Sequence, residues 1–160
     1  MNIEEVELSV PEGYNIILGQ SHFIKTVEDI YEAVVTASPG IKFGMAFCES
    51  SGKALIRFDG TDKECIDLAV SSASLIGAGH SFIIYLNGSF PINILDRIKA
   101  VQEVVNVYAA TANPITILIA DNGKGRGIMG IIDGIKPKGI EESQDKEERR
   151  EFLRKIGYKR

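Results

Sequence analysis

Three glycines and two basic residues in the last third of the chain are the first candidates for chemistry. Gly125, Gly127 and Gly130 have the G-x-G-x-x-G spacing of loops that bind nucleotide phosphates. Glycine lets backbone N–H groups approach an anion, and Lys124 and Arg126 supply positive charge. The dinucleotide-binding form of this motif opens a helix, whereas the apolar residues that follow here predict a strand. Two alternatives remain: a turn that contacts phosphate, or a flexible hairpin with solvated basic residues.

The two histidines are candidates for phosphoryl acceptance or base catalysis near neutral pH. His80 follows a predicted helix and precedes an apolar strand, but the negative C-terminal end of that helix disfavours a phosphoryl anion. His22 and Lys25 precede another predicted helix, whose positive N-terminus makes them the easier anion site. A purely structural role remains an alternative for each histidine.

Carboxylates at predicted element ends could hold Mg²⁺ together with nucleotide phosphates, because hard cations prefer oxygen ligands. Glu49 ends a strand, Asp133 ends the last strand, and Asp59 and Asp62 flank a helix start. The last two are more typical of helix caps. No cluster of histidine and cysteine predicts a zinc site, and G-x-S-x-G is absent, so the sequence predicts no dedicated metal site and no serine hydrolase.

Helices alternate with apolar strands along the chain. The pattern predicts a helix over 26–37 with Thr26 as its N-cap, a helix opened by Thr61, and a third helix over about 91–104. The hairpin formed by 41–48 and 53–58 excludes a wholly parallel sheet. The expected fold is therefore a layered α/β sandwich with a mixed sheet, both parallel and antiparallel, covered by helices.

Composition limits the function classes. The chain has 160 residues, which suits one domain over 1–160, and a net charge of −4 argues against a general nucleic-acid binder. It lacks an apolar run long enough for a membrane span and a basic, apolar leader. The two cysteines have no C-x-x-C spacing. A cytoplasmic protein without membrane or nucleic-acid partners is the expectation.

Five segments in order resemble the adenosine-specific kinase family of archaea and bacteria, and the likeness runs from about residue 2 to 159. The segments are GQSHFIKTVEDIYEA, PGIKFGMAFCESSG, IGAGHSFIIYLNGSFPINILDRIKAVQEV, ATANP and GRGIMGIIDG. The resemblance implies a compact α/β domain that forms a homo-oligomer, with a trimer favoured, and that binds adenosine or AMP. It also implies a histidine that carries a phosphoryl group, and the AGH position assigns this role to His80.

The resemblance and the residue types together suggest roles for further residues. With ATP or another phosphate donor, Gly125, Arg126 and Gly127 would stabilise charge on the transferred phosphate, and Lys25 or Mg²⁺ would assist. His22 and Glu49 complete the expected nucleotide-binding set.

One further residue is expected at the nucleoside. Asn113, at the turn before Pro114 in the ATANP segment, is a candidate contact to the base or the ribose. The competing interpretation is a non-catalytic oligomer that binds AMP in a sensing or structural role.

Overall fold

Eight β-strands and four α-helices make up the computed structural model, which describes residues 1–160. The strands are β1 Asn2–Leu8, β2 Tyr14–Ser21, β3 Lys42–Cys48, β4 Ile56–Gly60, β5 Ser81–Asn87, β6 Val104–Thr111, β7 Ile115–Asp121 and β8 Arg126–Asp133. The helices are α1 Thr26–Ala37, α2 Lys63–Ile76, α3 Leu95–Lys99 and α4 Ser143–Lys155, and a short 3-10 helix covers Pro91–Asn93. None of the helices has the length and apolar character needed to span a bilayer.

The strands form two sheets, and the expectation of a mixed sheet is wrong. One sheet has the order β4-β3-β5-β2-β6 and the other has the order β1-β7-β8. Every neighbouring pair in both sheets is antiparallel. Helices and strands do alternate in the first two thirds of the chain, but this alternation does not produce parallel neighbours.

The reason is that each helical connection in the five-stranded sheet skips one strand. The connection through α1 joins β2 to β3, and β5 lies between them. In the same way α2 joins β4 to β5 across β3, and α3 joins β5 to β6 across β2. Strands joined by such a crossover run in the same direction, but the inserted strand runs the opposite way and pairs with both.

The five-stranded sheet is covered on both faces. On one face, α1 and α3 bury a cluster that includes Phe43, Phe47, Phe82 and Ile84. On the other face, α2 and the three-stranded sheet bury a second cluster, built largely from small and β-branched side chains. The apolar strand predicted directly after His80 corresponds to β5, whose unbroken apolar run is explained by its burial at the centre of the sheet.

Helix α2 lies unusually close to β3 at Gly44. A Cβ atom built on this glycine would overlap the backbone nitrogen of Ile66 and the backbone carbonyl carbon of Cys65. Because the obstacle is backbone on one side and a central strand on the other, neither can move aside cheaply. Glycine at this position therefore sets the distance between the helix and the sheet.

The predicted helix ends are partly corrected. Helix α1 spans 26–37 as predicted, but the N-cap position is Lys25 rather than Thr26. Helix α2 is capped by Asp62, which accepts a hydrogen bond from the Cys65 N–H, and not by Thr61. The Thr61 hydroxyl instead donates to the Ile41 carbonyl, 2.6 Å away, so a tertiary contact replaces the expected cap.

The predicted helix over 91–104 is wrong, because it breaks into the 3-10 turn and the short α3. Strand β6 already begins at Val104. The apolar spacing of the segment is explained by Ile94 and Ile98, which are buried in the α1 cluster.

Candidate functional site

All the residues predicted for catalysis or nucleotide binding except Asn113 lie at one end of the two sheets, whereas the carboxylate candidates Asp59, Asp62 and Asp133 lie towards the other end. Strands β2, β3 and β7 finish there, and β5, β6 and β8 start there. We call this region the site end, and it comprises residues 21–25, 48–56, 77–80, 103 and 121–127.

His80 is fixed through its backbone at the start of β5. Its N–H donates to the Cys48 carbonyl and its carbonyl accepts from the Ser21 N–H, both at 2.8 Å. Its φ of +63° is uncommon for a residue with a side chain and directs the chain from α2 into the strand. The imidazole is partly buried and stacks on the ring of Phe47, with 6.0 Å between centroids and 9° between planes.

This stacking places the His80 ring on the α1 face of the sheet. Phe47 belongs to the cluster beneath α1, whereas α2 packs on the opposite face. The last turn of α2 is also compensated, because the Leu75 carbonyl accepts a hydrogen bond from Nη1 of Arg126 at 3.0 Å. The unfavourable helix end expected beside His80 therefore lies on the other side of the sheet and is capped by a cation.

The N-terminus of α1 lies at the site end and carries His22 and Lys25. The Ser21 hydroxyl is 2.5 Å from the Thr26 hydroxyl, and both groups are buried. The His22 N–H donates to the Glu103 carbonyl at 3.1 Å. The backbone of this segment is thus bound to Glu103, directly before β6, and to His80 through the Ser21 N–H.

Lys25 is not a free cation. Its ammonium contacts the Asp29 carboxylate and lies 3.4 Å from Oε2 of Glu103. The hydrogen bond with Asp29 raises the pKa of Lys25 and lowers the pKa of Asp29. Lys25 therefore keeps its charge at neutral pH, but two carboxylates share it.

Glu103 was missed by the sequence analysis. Its side chain is 2% exposed, and its Oε1 is buried without a hydrogen-bond partner. Its backbone carbonyl also accepts from the Ser21 hydroxyl at 2.9 Å. The sequence offered one signal, a carboxylate directly before the apolar run of β6. A solvent-exposed carboxylate at the start of a strand gives the same pattern, so the burial of Glu103 was not predictable from it.

The glycine motif forms a β-hairpin between β7 and β8. Asn122 Oδ1 accepts from the N–H groups of Lys124 and Gly125, each at 2.9 Å, and Asp121 Oδ1 accepts from the Gly123 N–H at 2.7 Å. Gly127 continues the turn as part of β8. Three backbone N–H groups that could donate to an anion therefore already donate to side chains of the turn.

Arg126 connects this hairpin to the rest of the protein. Besides the Leu75 carbonyl, its guanidinium binds Oε2 of Glu4 at 2.6 Å and lies 3.7 Å from Oδ2 of Asp121. Its Nε is buried and has no hydrogen-bond partner. In this arrangement Arg126 ties β1, α2 and β8 together.

Glu49 pairs with an arginine that sequence analysis did not single out. Oε2 of Glu49 accepts from Nη2 of Arg57 at 2.9 Å and from the Leu55 N–H at 3.2 Å. The backbone hydrogen bond from Leu55, with a further contribution from Arg57, lowers the pKa of Glu49. Nε of Arg57 is buried without a partner. The available signal was a cation between two apolar residues, Ile56 and Phe58, in the predicted strand over 53–58.

A cleft of about 750 Å³ opens between the 48–56 loop and the glycine hairpin. Lys124 lines it and forms neither a hydrogen bond nor an ion pair through its ammonium. The cleft is large enough for a nucleotide. Its other polar lining residues include Glu49, Ser50, Ser74, Asn122 and Arg126.

Asn113 is separated from these residues. It lies between β6 and β7, at the opposite end from Asp121, so the length of β7 places it about 20 Å away. Its side-chain amide donates to Oδ1 of Asp133 at 2.9 Å, and the same oxygen accepts from the Thr111 hydroxyl at 3.0 Å. Within one chain Asn113 does not join the cleft.

No group of three or more histidine, cysteine, aspartate or glutamate side chains is arranged to hold a metal ion. Cys48 and Cys65 are both buried and unpaired. Burial raises the pKa of Cys48, and burial together with Asp62 raises the pKa of Cys65 to about 12. Neither thiol is poised to act as a nucleophile.

Comparison with known proteins agrees with the resemblance. The family model described as adenosine specific kinase matches residues 6–159. The crystal structure of the PH1918 protein from Pyrococcus horikoshii OT3 is similar to this chain with a TM-score of 0.94 and 42% sequence identity, covering 99% of this chain and 98% of that one. No curated protein matches the sequence. The match to the family model covers nearly the whole chain, and on this evidence the protein belongs to the adenosine-specific kinase family.

Proposed function

We propose that this protein transfers a phosphoryl group to adenosine through a phosphorylated His80. The observation that carries the proposal is the position of the imidazole: partly buried, backbone-fixed and on the face where the N-terminus of α1 supplies positive potential. Membership of the adenosine-specific kinase family supports adenosine as the acceptor.

The chemistry requires two displacements. In the first, an unprotonated imidazole nitrogen of His80 attacks the γ-phosphorus of ATP, so that an N–P bond forms, the bond to the bridging oxygen breaks and ADP leaves. In the second, the 5′-hydroxyl oxygen of adenosine attacks the same phosphorus. An O–P bond forms, the N–P bond breaks, AMP and neutral His80 are released, and the hydroxyl proton passes to water.

The α- and β-phosphates of the donor would lie in the cleft beside the glycine hairpin, and the γ-phosphate would extend past the edge of the sheet to His80, which does not itself line the cleft. In this proposal Gly125, Arg126 and Gly127 face the phosphates, and Lys124 adds an uncommitted charge. Mg²⁺ would enter with the nucleotide beside Glu49, a carboxylate that lines the cleft and directly follows the residue whose carbonyl accepts from the His80 N–H. The metal would neutralise phosphate charge.

Two further residues would face the phosphoryl group at the α1 end of the site. Lys25 and His22 would stabilise the phosphoryl group from the N-terminus of α1.

A second candidate function is a sensing or structural oligomer that binds AMP without turnover. The observation that favours it is the state of the expected phosphate ligands. Carboxylates hold Lys25 and Arg126, and side chains of the turn hold three amides of the glycine hairpin. Catalysis would require some of these contacts to be exchanged for contacts with the nucleotide.

The two functions differ in whether adenosine drives turnover. The protein is incubated with γ-labelled ATP and Mg²⁺, with and without adenosine, and labelled AMP and labelled inorganic phosphate are measured. A kinase produces labelled AMP only when adenosine is present. If AMP binds but no labelled AMP forms, the result supports a binding protein without turnover. Release of labelled phosphate that does not depend on adenosine would indicate an ATPase or phosphatase.

A further inference from the structure

Glu103 is a buried carboxylate for which the mechanism above has no use. It directly precedes β6, its side chain is 2% exposed, and its Oε2 lies 3.4 Å from the Lys25 ammonium. Its Oε1 is buried and accepts no hydrogen bond. A buried carboxylate oxygen without a donor is unfavourable for folding, and such exceptions are expected at functional sites. A role other than packing would account for this residue.

The backbone of Glu103 is connected to the backbone of His80. The Glu103 carbonyl accepts from the Ser21 hydroxyl at 2.9 Å and from the His22 N–H at 3.1 Å. The Ser21 N–H in turn donates to the His80 carbonyl at 2.8 Å. Ser21 therefore fixes the position of the Glu103 backbone relative to the residue that would accept the phosphoryl group.

The side chain of Lys25 is less well fixed. It is 47% exposed, and a flexible aliphatic stem separates its ammonium from the backbone at the N-cap of α1. Asp29, one of its two partners, lies one turn further along the same helix and is 31% exposed. That contact holds the ammonium against α1 but does not relate it to the sheet. The contact with Glu103 does, because Glu103 leads directly into β6.

The contacts of Lys25 leave one donor free. An ammonium group has three N–H donors, and Asp29 and Glu103 each accept from one of them. The 3.4 Å between Nζ and Oε2 of Glu103 exceeds the roughly 2.7–2.9 Å of a hydrogen bond between charged groups. The ammonium is therefore not locked onto Glu103, and its third N–H is available to a phosphoryl oxygen.

We propose that Glu103 is a positioning residue, which holds the Lys25 ammonium within reach of the phosphoryl group on His80. This inference rests on the function proposed above. Glu103 does not touch the substrate, but acts through Lys25 by fixing the direction of the remaining N–H. The placement of a charge matters most where negative charge is redistributed in the transition state, so the effect is on kcat more than on the binding of AMP.

The first test measures kcat for AMP formation in Glu103→Gln and Glu103→Leu. Both replacements are close to glutamate in volume and remove the buried charge, so we expect melting temperatures within about 4 °C of the wild type. We expect kcat to fall about tenfold in each variant, while AMP affinity measured by calorimetry stays within about threefold. A kcat within about twofold of the wild type in either variant would overturn the inference.

Asp29→Asn is the matched control, because it removes the other carboxylate that contacts Lys25. We expect its kcat to stay within about threefold of the wild type, since the contact between the ammonium and Glu103 remains. If Asp29→Asn lowers kcat as much as Glu103→Gln does, the link between Lys25 and the sheet has no special role and the inference is wrong.

The second test repeats the Glu103→Gln substitution in a Lys25→Met background. Methionine keeps the unbranched stem of lysine but has no charge. Because Glu103 acts through Lys25, the substitution is expected to change kcat by less than about twofold in this background. A loss of about tenfold that persists there would show an effect of Glu103 that is independent of Lys25, and it would overturn the inference.

The inference and the proposed function fail in different ways. A wild-type protein that forms no labelled AMP in the presence of adenosine overturns the proposed function, and the inference with it. A wild-type protein that forms labelled AMP, together with a Glu103→Gln variant of unchanged kcat, overturns the inference alone.

Discussion

Replacement of His80 by alanine is expected to lower kcat for AMP formation by about 10³-fold or more. In the proposed mechanism the variant loses the nitrogen that accepts the phosphoryl group, and neither cysteine can replace it because both are buried. AMP affinity should stay within about threefold, because the backbone contacts of residue 80 with Cys48 and Ser21 remain. The measurement is initial-rate kinetics with labelled ATP, together with calorimetry of AMP binding.

His22→Ala is the matched control for this experiment. His22 is at the same end of the sheet and exposed, but its contact with the protein is through its backbone N–H. We expect it to raise KM for ATP and to leave kcat within about tenfold of the wild type, because it would contact phosphate without becoming phosphorylated. A larger loss of kcat in His22→Ala than in His80→Ala would reverse the assignment of the two histidines.

Substitution of Gly44 by alanine is expected to destabilise the protein by about 3 kcal/mol or more. The added methyl group would overlap the backbone of α2 at Ile66, so the helix would have to move off the sheet and lose contacts of the buried Cys65 and Ala69. For a chain of this size the melting temperature should fall by roughly 6–12 °C. Thermal unfolding followed by circular dichroism measures the change.

Gly130→Ala provides the comparison for Gly44→Ala. Gly130 is also in a β-strand, its φ is not in the left-handed region, and nothing lies within 4 Å of an added Cβ. Its effect should be within about 0.5 kcal/mol. If the two substitutions shift the melting temperature equally, the close approach of α2 to β3 does not determine the packing of this layer.

Strands and helices were largely predictable, because they follow from local patterns. The apolar run of β5 and the spacing of α1 are readable within a dozen residues. The sheet order was not, since the insertion of β5 between β2 and β3 joins segments far apart in the sequence. Nothing in the β2-α1-β3 segment distinguishes an adjacent parallel pair from one separated by another strand.

The site was predictable in part for a similar reason. His80, His22 and Glu49 lie at element ends, and the topology brings those ends together. Arg57 and Glu103 were missed because one charged residue at an apolar strand reads as a solvated position. The side chains of Asp121 and Asn122 accept hydrogen bonds from backbone N–H groups of the glycine turn. The spacing of the glycines does not predict these contacts.

The most direct test of the account is a pulse–chase of the phosphorylated protein. The enzyme is exposed briefly to γ-labelled ATP and Mg²⁺ without adenosine, separated from nucleotide, and then mixed with unlabelled adenosine. The account predicts an acid-labile, base-stable label on the peptide that contains His80, and its transfer to AMP when adenosine is added. Labelled AMP formed by a protein that never carries label, or a protein-bound label that adenosine does not remove, would contradict it.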